Sequence, residues 1–369
     1  MFIVRVLVFI FGALVVMLTV LSAVKTFVLP RSAPDPLTRI IFLSVRSLFD
    51  LRLRWTKTFR EKDRIMAFYA PVSILALLPA WLALVALGYM GMFWALGASS
   101  WLEAYKISGS SLLTLGIATA TSFPMTLLEF TEATIGLLLV ALLIAYLPTM
   151  YAAFQRREAA VTLLEVRAGS PPSAIEMILR FHRLHGLERL SEQWRVWEAW
   201  FVDIQESHTS LAALVFFRSP RPDHSWVTAA GAVLDAAALT RSTVDTPTDF
   251  QADLCLRAGY LALRHIADFF SVPYNVDPQK GDPISITHQE FEVACERLAA
   301  QGVPLKPDRQ QAWEDFAGWR VNYDRSLILL CGLVMAPPAA WSSDRAPEFN
   351  MTPLMIFKKN KLHRQGETV

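Results

Sequence analysis

Three long stretches without a charged residue divide the first half of the chain. Residues 6–24 are nineteen uncharged positions, about 28 Å as a helix and close to the roughly 30 Å hydrocarbon core of a bilayer. Residues 65–102 form a second stretch, with Pro71 and Pro79 marking a helix start or a kink near one end. Residues 133–155, rich in Leu, Ile and Ala, form the third. Beyond Ala160 the pattern changes. Ile175, Ile178, Leu179 and His182 recur at helical spacing, as do Trp194, Trp197, Trp200 and Phe201. Breakers separate these runs, among them Gly169-Ser170-Pro171-Pro172, Ser219-Pro220-Arg221-Pro222 and Val272-Pro273-Tyr274. No stretch alternates with the period of a strand. The pattern predicts an all-α membrane protein with three transmembrane helices, over 1–30 and within 65–157. A basic segment over 31–64, a mainly helical domain over 158–345 and a flexible tail over 346–369 complete it. Ser170 is expected to cap the helix that follows the two prolines.

Composition agrees: 53% of the 369 residues are hydrophobic and 18% charged, too apolar for an ordinary soluble chain of this length. The net charge of +2 carries no global basic excess that would point to nucleic acid. Where the charges cluster matters more. Residues 31–64 carry nine basic residues (Arg31, Arg39, Arg46, Arg52, Arg54, Lys57, Arg60, Lys62 and Arg64) against four acidic ones. The positive-inside rule puts that segment in the cytoplasm, the N-terminus outside, and everything after Arg156 and Arg157 in the cytoplasm. The expected location is therefore the cell membrane, multi-pass. Ile40, Leu43, Leu48, Leu51, Trp55 and Phe59 interleave with the arginines and predict a helix lying on anionic lipid; a solvated linker is the plainer alternative. The first hydrophobic run ends without a small-residue cleavage site and reads as a retained span. Cys255, Cys295 and Cys331 lack paired spacing and are expected to be reduced and buried.

Residues 107–128 are also uncharged, yet half of them are hydroxyl residues, Gly or Pro, including Ser108, Gly109, Ser110, Ser111, Thr114, Gly116, Thr119, Thr121, Ser122, Pro124 and Thr126. That composition suits backbone lining water better than a helix facing lipid. A fourth crossing would also leave Arg156 and Arg157 outside. A re-entrant hairpin is the expectation.

The order from Trp101 to Arg157, a short hydroxyl-rich segment with a T-x-G turn followed by a Gly-bearing span that ends in basic residues, resembles the pore module of the two-transmembrane potassium channel family. Ser110, Ser111, Leu112, Leu113, Thr114, Leu115, Gly116, Ile117 and Ala118 fall where that family has the end of its pore helix and its T-x-G-Y-G filter. Ile117 stands at the aromatic position and Ala118 at the second glycine. The resemblance implies a filter-like constriction at Thr114, Leu115, Gly116, Ile117 and Ala118, and a left-handed backbone at Ala118 that costs roughly 1–2 kcal/mol. It implies a hinge at Gly136 in the inner helix, and a cytoplasmic exit at Phe154, Gln155, Arg156 and Arg157. Glu129 and Glu132, where the third span meets the outer surface, read either as a carboxylate ring at an outer mouth or as a solvated first helical turn.

Little other chemistry is signalled. There is no GxGxxG and no GxxxxGK[ST]. His182 with His185, and His265 with Asp268, are helical pairs without a further ligand at metal-binding spacing. The loop over 274–283 is the best remaining place for a small ligand. The Trp-rich stripe is expected in a core rather than at a ligand. The expected function is an ion channel-like membrane protein: a poorly selective cation channel, assembled as a homotetramer in membrane lipid, passing monovalent cations, with a cytoplasmic regulatory domain. It uses no cofactor or metal and is not an enzyme. The alternative is a non-conducting, membrane-anchored assembly or sensory protein built on the same scaffold.

Overall fold

The computed structural model describes residues 2–29, 35–120, 122–247 and 249–347. Arg31, Thr121 and residues 348–369, which carry part of the basic-segment, hydroxyl-rich and tail expectations, lie outside the described residues. Every regular element among the described residues is a helix. Three helical stretches, Phe2–Phe27, Phe59–Leu96 and Phe123–Ala168, are long and apolar enough to cross a membrane. The chain forms two compact units, Met1–Trp55 with Ile65–Ala152, and Thr56–Arg64 with the residues from Ala153 onward.

The elements up to the end of the third stretch are α1 (Phe2–Phe27), α2 (Pro36–Leu53), α3 (Phe59–Met66), α4 (Tyr69–Leu96), α5 (Trp101–Leu112) and α6 (Phe123–Ala168). In the first unit, α1 and α4 approach through small residues. A Cβ on Gly12 would overlap the Gly88 carbonyl, and one on Gly88 would meet Val16, so the two backbones come as close as apolar helices allow. Further along the same contact, Trp81 is fully buried and donates its indole N–H to Ser22 Oγ at 3.2 Å. Ser22 in turn donates to Asp35 Oδ2 at 2.6 Å. Asp35 is also the N-cap of α2, accepting from the Thr38 amide at 2.8 Å with Pro36 in the first turn, the arrangement that satisfies an orphan donor at a helix start. Of the apolar residues whose spacing predicts a helix in the basic segment, Ile40, Leu43, Leu48 and Leu51 lie on α2, while Trp55 falls beyond its end and Phe59 begins α3. Phe42 and Phe49 of α2 meet the Tyr69 ring edge-on.

The second unit holds α7 (Ala174–Arg183), α8 (Leu190–Ser210), α9 (Trp226–Thr243), α10 (Phe250–Phe269), α11 (His288–Ala300), α12 (Arg309–Arg320) and α13 (Asp324–Val334). Ala-rich α9 is buried on nearly every side, which marks a helix at the centre of a core. Its one acid, Asp235, is buried against the Arg320 guanidinium and accepts from Tyr323 Oη at 2.8 Å. Arg320 also donates to Asp324 Oδ1 at 2.8 Å and to the Trp341 carbonyl at 2.6 Å. The Trp-rich stripe is in the core as expected: Trp194, Trp197, Trp200 and Phe201 are all buried. So are the three cysteines, all unpaired.

Two expectations are corrected. The helix that carries residues 133–155 begins ten residues before them: α6 starts at Phe123, because Pro124 in its first turn fits a helix start, where the missing N–H is no loss. Ser170 does not cap a helix either. Its hydroxyl bonds Asp223, and α7 is capped by Ser173, whose Oγ accepts from the Glu176 amide.

Arg157, read from the sequence as a topology-setting charge, is fully buried in the second unit. It pairs with Glu158 at 2.8 Å and donates to the carbonyls of Leu214 and Phe217 at 2.8 and 2.7 Å. His208 lies against it, with its Nε2 3.4 Å from the guanidinium. Burial, reinforced by the Arg157 charge, holds the His208 imidazole well below its ordinary range, so the ring is neutral.

Candidate functional site

Gly97, with φ +120°, ends α4, a conformation that costs glycine little. Ser100 then caps α5 by accepting from the Glu103 amide at 3.1 Å. Trp94 and Trp101 stack with ring centroids 4.8 Å apart, so α5 turns straight back along α4. The Ser108 hydroxyl lies 3.1 Å from the Ala86 carbonyl of α4 and donates at 2.5 Å to Glu132 Oε1 of α6. Four residues on, α5 stops at Leu112, whose carbonyl a Cβ on Gly136 would overlap. Gly136 is about 20 Å along α6 from its first residue, taking 1.5 Å per residue.

Past Leu112 the chain reverses. The amides of Thr114 and Leu115 donate to the carbonyls of Ser111 and Ser110 at 3.0 and 2.8 Å. Thr114 (φ +53°) and Gly116 (φ +68°) are left-handed. The Ala118 amide then donates to Ser110 Oγ at 3.1 Å, and the Ala120 amide to Glu129 Oε1 at 2.7 Å. The segment so runs back beside α5 to the start of α6. Leu113, Thr114, Leu115, Gly116 and Ile117 are exposed in the single chain, Ile117 by 76%.

Thr114, Leu115, Gly116 and Ile117 therefore form one exposed turn with Ala118 half-buried at its end, and the left-handed residues among the five are Thr114 and Gly116. Ala118 is not left-handed, so the cost expected at Ala118 falls on Thr114 instead. Gly116 has open space where a Cβ would stand, and its φ alone calls for glycine. Gly136 lies inside unbroken α6 and makes room for the Leu112 carbonyl. Glu129 is half-buried and anchors the returning segment. Glu132 is not at a solvated mouth: it is fully buried behind α5, because α6 begins nine residues before it, and its Oε2 has no hydrogen-bond partner among the described residues.

Sequence reasoning missed the Ser108–Glu132 pair and the anchoring role of Ser110. The available signal was Pro124, which moves the helix start upstream and carries Glu132 from its first turn into its interior. Elsewhere, no three His, Cys, Asp or Glu side chains converge on a metal site among the described residues. In the loop over 274–283, Asn275 Nδ2 and the Gln279 amide both donate to Asp282, while Tyr274 and Lys280 bond Asp268 and Asp315 outside it.

The fold defines an all-helical protein with three membrane-crossing candidates and a short helix folded back between the second and third. No protein-family model, curated protein or solved structure matches the chain.

Proposed function

We propose that this chain is the subunit of an ion channel-like membrane protein, with Thr114, Leu115, Gly116, Ile117 and Ala118 gathered round a shared axis, as a homotetramer, to form a constriction for monovalent cations. One hairpin cannot enclose a pore, so the reading requires several copies. The observation that carries it is α5. Its twelve residues span about 18 Å, too short to cross a bilayer, and the exposed turn after Leu112 brings the chain back to the start of α6. An element that enters and leaves on one side is re-entrant, and non-helical backbone at membrane depth is tolerated where it lines water. The charge of residues 31–64 supports a cytoplasmic second unit, which on this reading regulates opening. Without a second glycine or an aromatic residue after Gly116, the constriction offers few of the ordered carbonyls that discriminate among cations, so selectivity is poor.

Planar-bilayer recording of the purified protein tests this. Wild-type current abolished or rectified by Gly116→Asp is the expected result, and a current indifferent to that substitution rejects the assignment. The apolar character of the exposed turn, with Leu113, Leu115 and Ile117, favours a second reading. In it the scaffold conducts nothing and anchors an assembly or sensory protein, and absence of current together with a monomer in detergent would favour it.

A further inference from the structure

The sequence reads the apolar residues of the basic segment as one stripe, but α2 divides them. Phe42, Val45 and Phe49 recur at i, i+3 and i+7 and turn toward α4, where the Tyr69 ring receives both phenylalanines and the Arg46 guanidinium lies 5.5 Å from its centroid. Ile40, Leu48 and Leu51 lie on the other face, at i, i+8 and i+11. With Trp55 just beyond the helix end they are 60, 68, 48 and 68% exposed. Arg52 and Arg54 stand at the margin of this second face, exposed, and neither forms an ion pair among the described residues.

The position of α2 says what covers that face. Its N-terminus is tied to the end of α1 by the Ser22–Asp35 bond and by Thr26 and Thr38, whose hydroxyls are 2.7 Å apart. Its middle rests on Tyr69, the first residue of α4. It therefore lies beside the last residues of α1 and the first of α4, where the uncharged run that starts at Ile65 meets the charged residues of α3, the level at which hydrocarbon gives way to headgroups. A second copy of α2 would bring like-charged arginines together on this face. A bilayer supplies an apolar layer for the leucines and, if its headgroups are anionic, counter-charges at the level that arginine side chains reach.

We infer that α2 is an anionic-lipid-binding interfacial helix: Ile40, Leu48, Leu51 and Trp55 enter the acyl boundary, and Arg52 and Arg54 bind headgroup phosphates. The inference goes beyond the channel reading and stands without it. Tied to Ser22 through its cap Asp35 and resting on Tyr69, α2 would transmit its seating to the ends of α1 and α4.

The test places a spin label at Leu48→Cys or Leu51→Cys of the full chain, with Gln310→Cys as an aqueous reference, in phosphatidylcholine vesicles with and without phosphatidylglycerol. Labels at 48 and 51 are expected to collide more with oxygen than with a nickel chelate, and most strongly so when phosphatidylglycerol is present. R52Q/R54Q should lower the retention of phosphatidylglycerol over phosphatidylcholine, read by native mass spectrometry, by about fivefold per arginine. Nickel accessibility at 48 and 51 equal to that at 310 would overturn the inference and leave the face to a protein partner. Labels shielded alike in both vesicle types, with R52Q/R54Q retaining the same lipids, would overturn the part played by charge.

Discussion

The carbonyl of Leu112 lies where the Cβ of any residue but glycine at position 136 would have to be. This one contact sets the depth at which α5 ends and the reversing segment begins, and it gives Gly136 a reason that differs from a hinge.

The two reasons predict opposite signs. If only helix flexibility mattered, Gly136→Ala would stabilise α6 by about 0.5–1 kcal/mol. The overlap with Leu112 instead predicts a loss of about 1–3 kcal/mol from overpacking. Thermal unfolding of the detergent-solubilised protein, followed by circular dichroism, should therefore show a lower midpoint for G136A than for wild type.

Glu132 keeps its acceptor for Ser108 when changed to Gln, so E132Q should unfold close to wild type. E132A opens a void behind α5 and should cost about 2 kcal/mol or more. Where a current is recorded, E129Q should alter its dependence on bath salt while E132Q leaves it unchanged, since a fully buried side chain adds nothing to a solvated mouth.

His208 makes the second unit acid-sensitive. Its folded-state pKa lies below the unfolded value of about 6.5, so its contribution is complete above that pH. The contribution falls by about 1.4 kcal/mol per pH unit below it, until the buried ring itself takes a proton beside Arg157. Chemical unfolding between pH 7.5 and 5 should show this slope, and H208Q, which cannot titrate, should flatten it.

Asp235 is the sole acid on α9 and the acceptor for both Arg320 and Tyr323. D235A leaves the Tyr323 phenol without an acceptor and the buried Arg320 guanidinium with Asp324 as its one remaining carboxylate, and should cost about 3–5 kcal/mol. D235N, which keeps an acceptor oxygen, should cost less. Near-ultraviolet circular dichroism during denaturant unfolding resolves the order.

The thiols should be inert in the native protein. Burial pushes Cys295 up to about 11 and raises Cys255 and Cys331 further, so little thiolate exists at neutral pH. Maleimide should label none of the three before unfolding and all three after it.

Much of this architecture was legible in the chain because it rests on local rules. The uncharged runs mark the three long helices, the apolar spacing marks α2, and the tryptophans of α8 announce a core. Helix starts were less legible: Ala133 and Ser170 both gave way to signals of the same kind a few residues off, Pro124 and Ser173. The site was legible only as an order of residues. That Thr114 rather than Ala118 is left-handed depends on Ser110, which receives both the Leu115 and Ala118 amides. That Glu132 is buried depends on Ser108 arriving from another helix. The first is a bond pattern inside one irregular turn and the second a contact between helices 24 residues apart, and hydrophobic spacing says nothing about either.

The close fit of α1 against α4 has a bearing on how this protein can be dissected. Excising the first helix to obtain a minimal two-span fragment would strip the Trp81 indole of its acceptor and open the groove at Gly88 to detergent. The leading helix is a wall of the bundle, and work on the isolated hairpin would study a different object from the one the full chain makes.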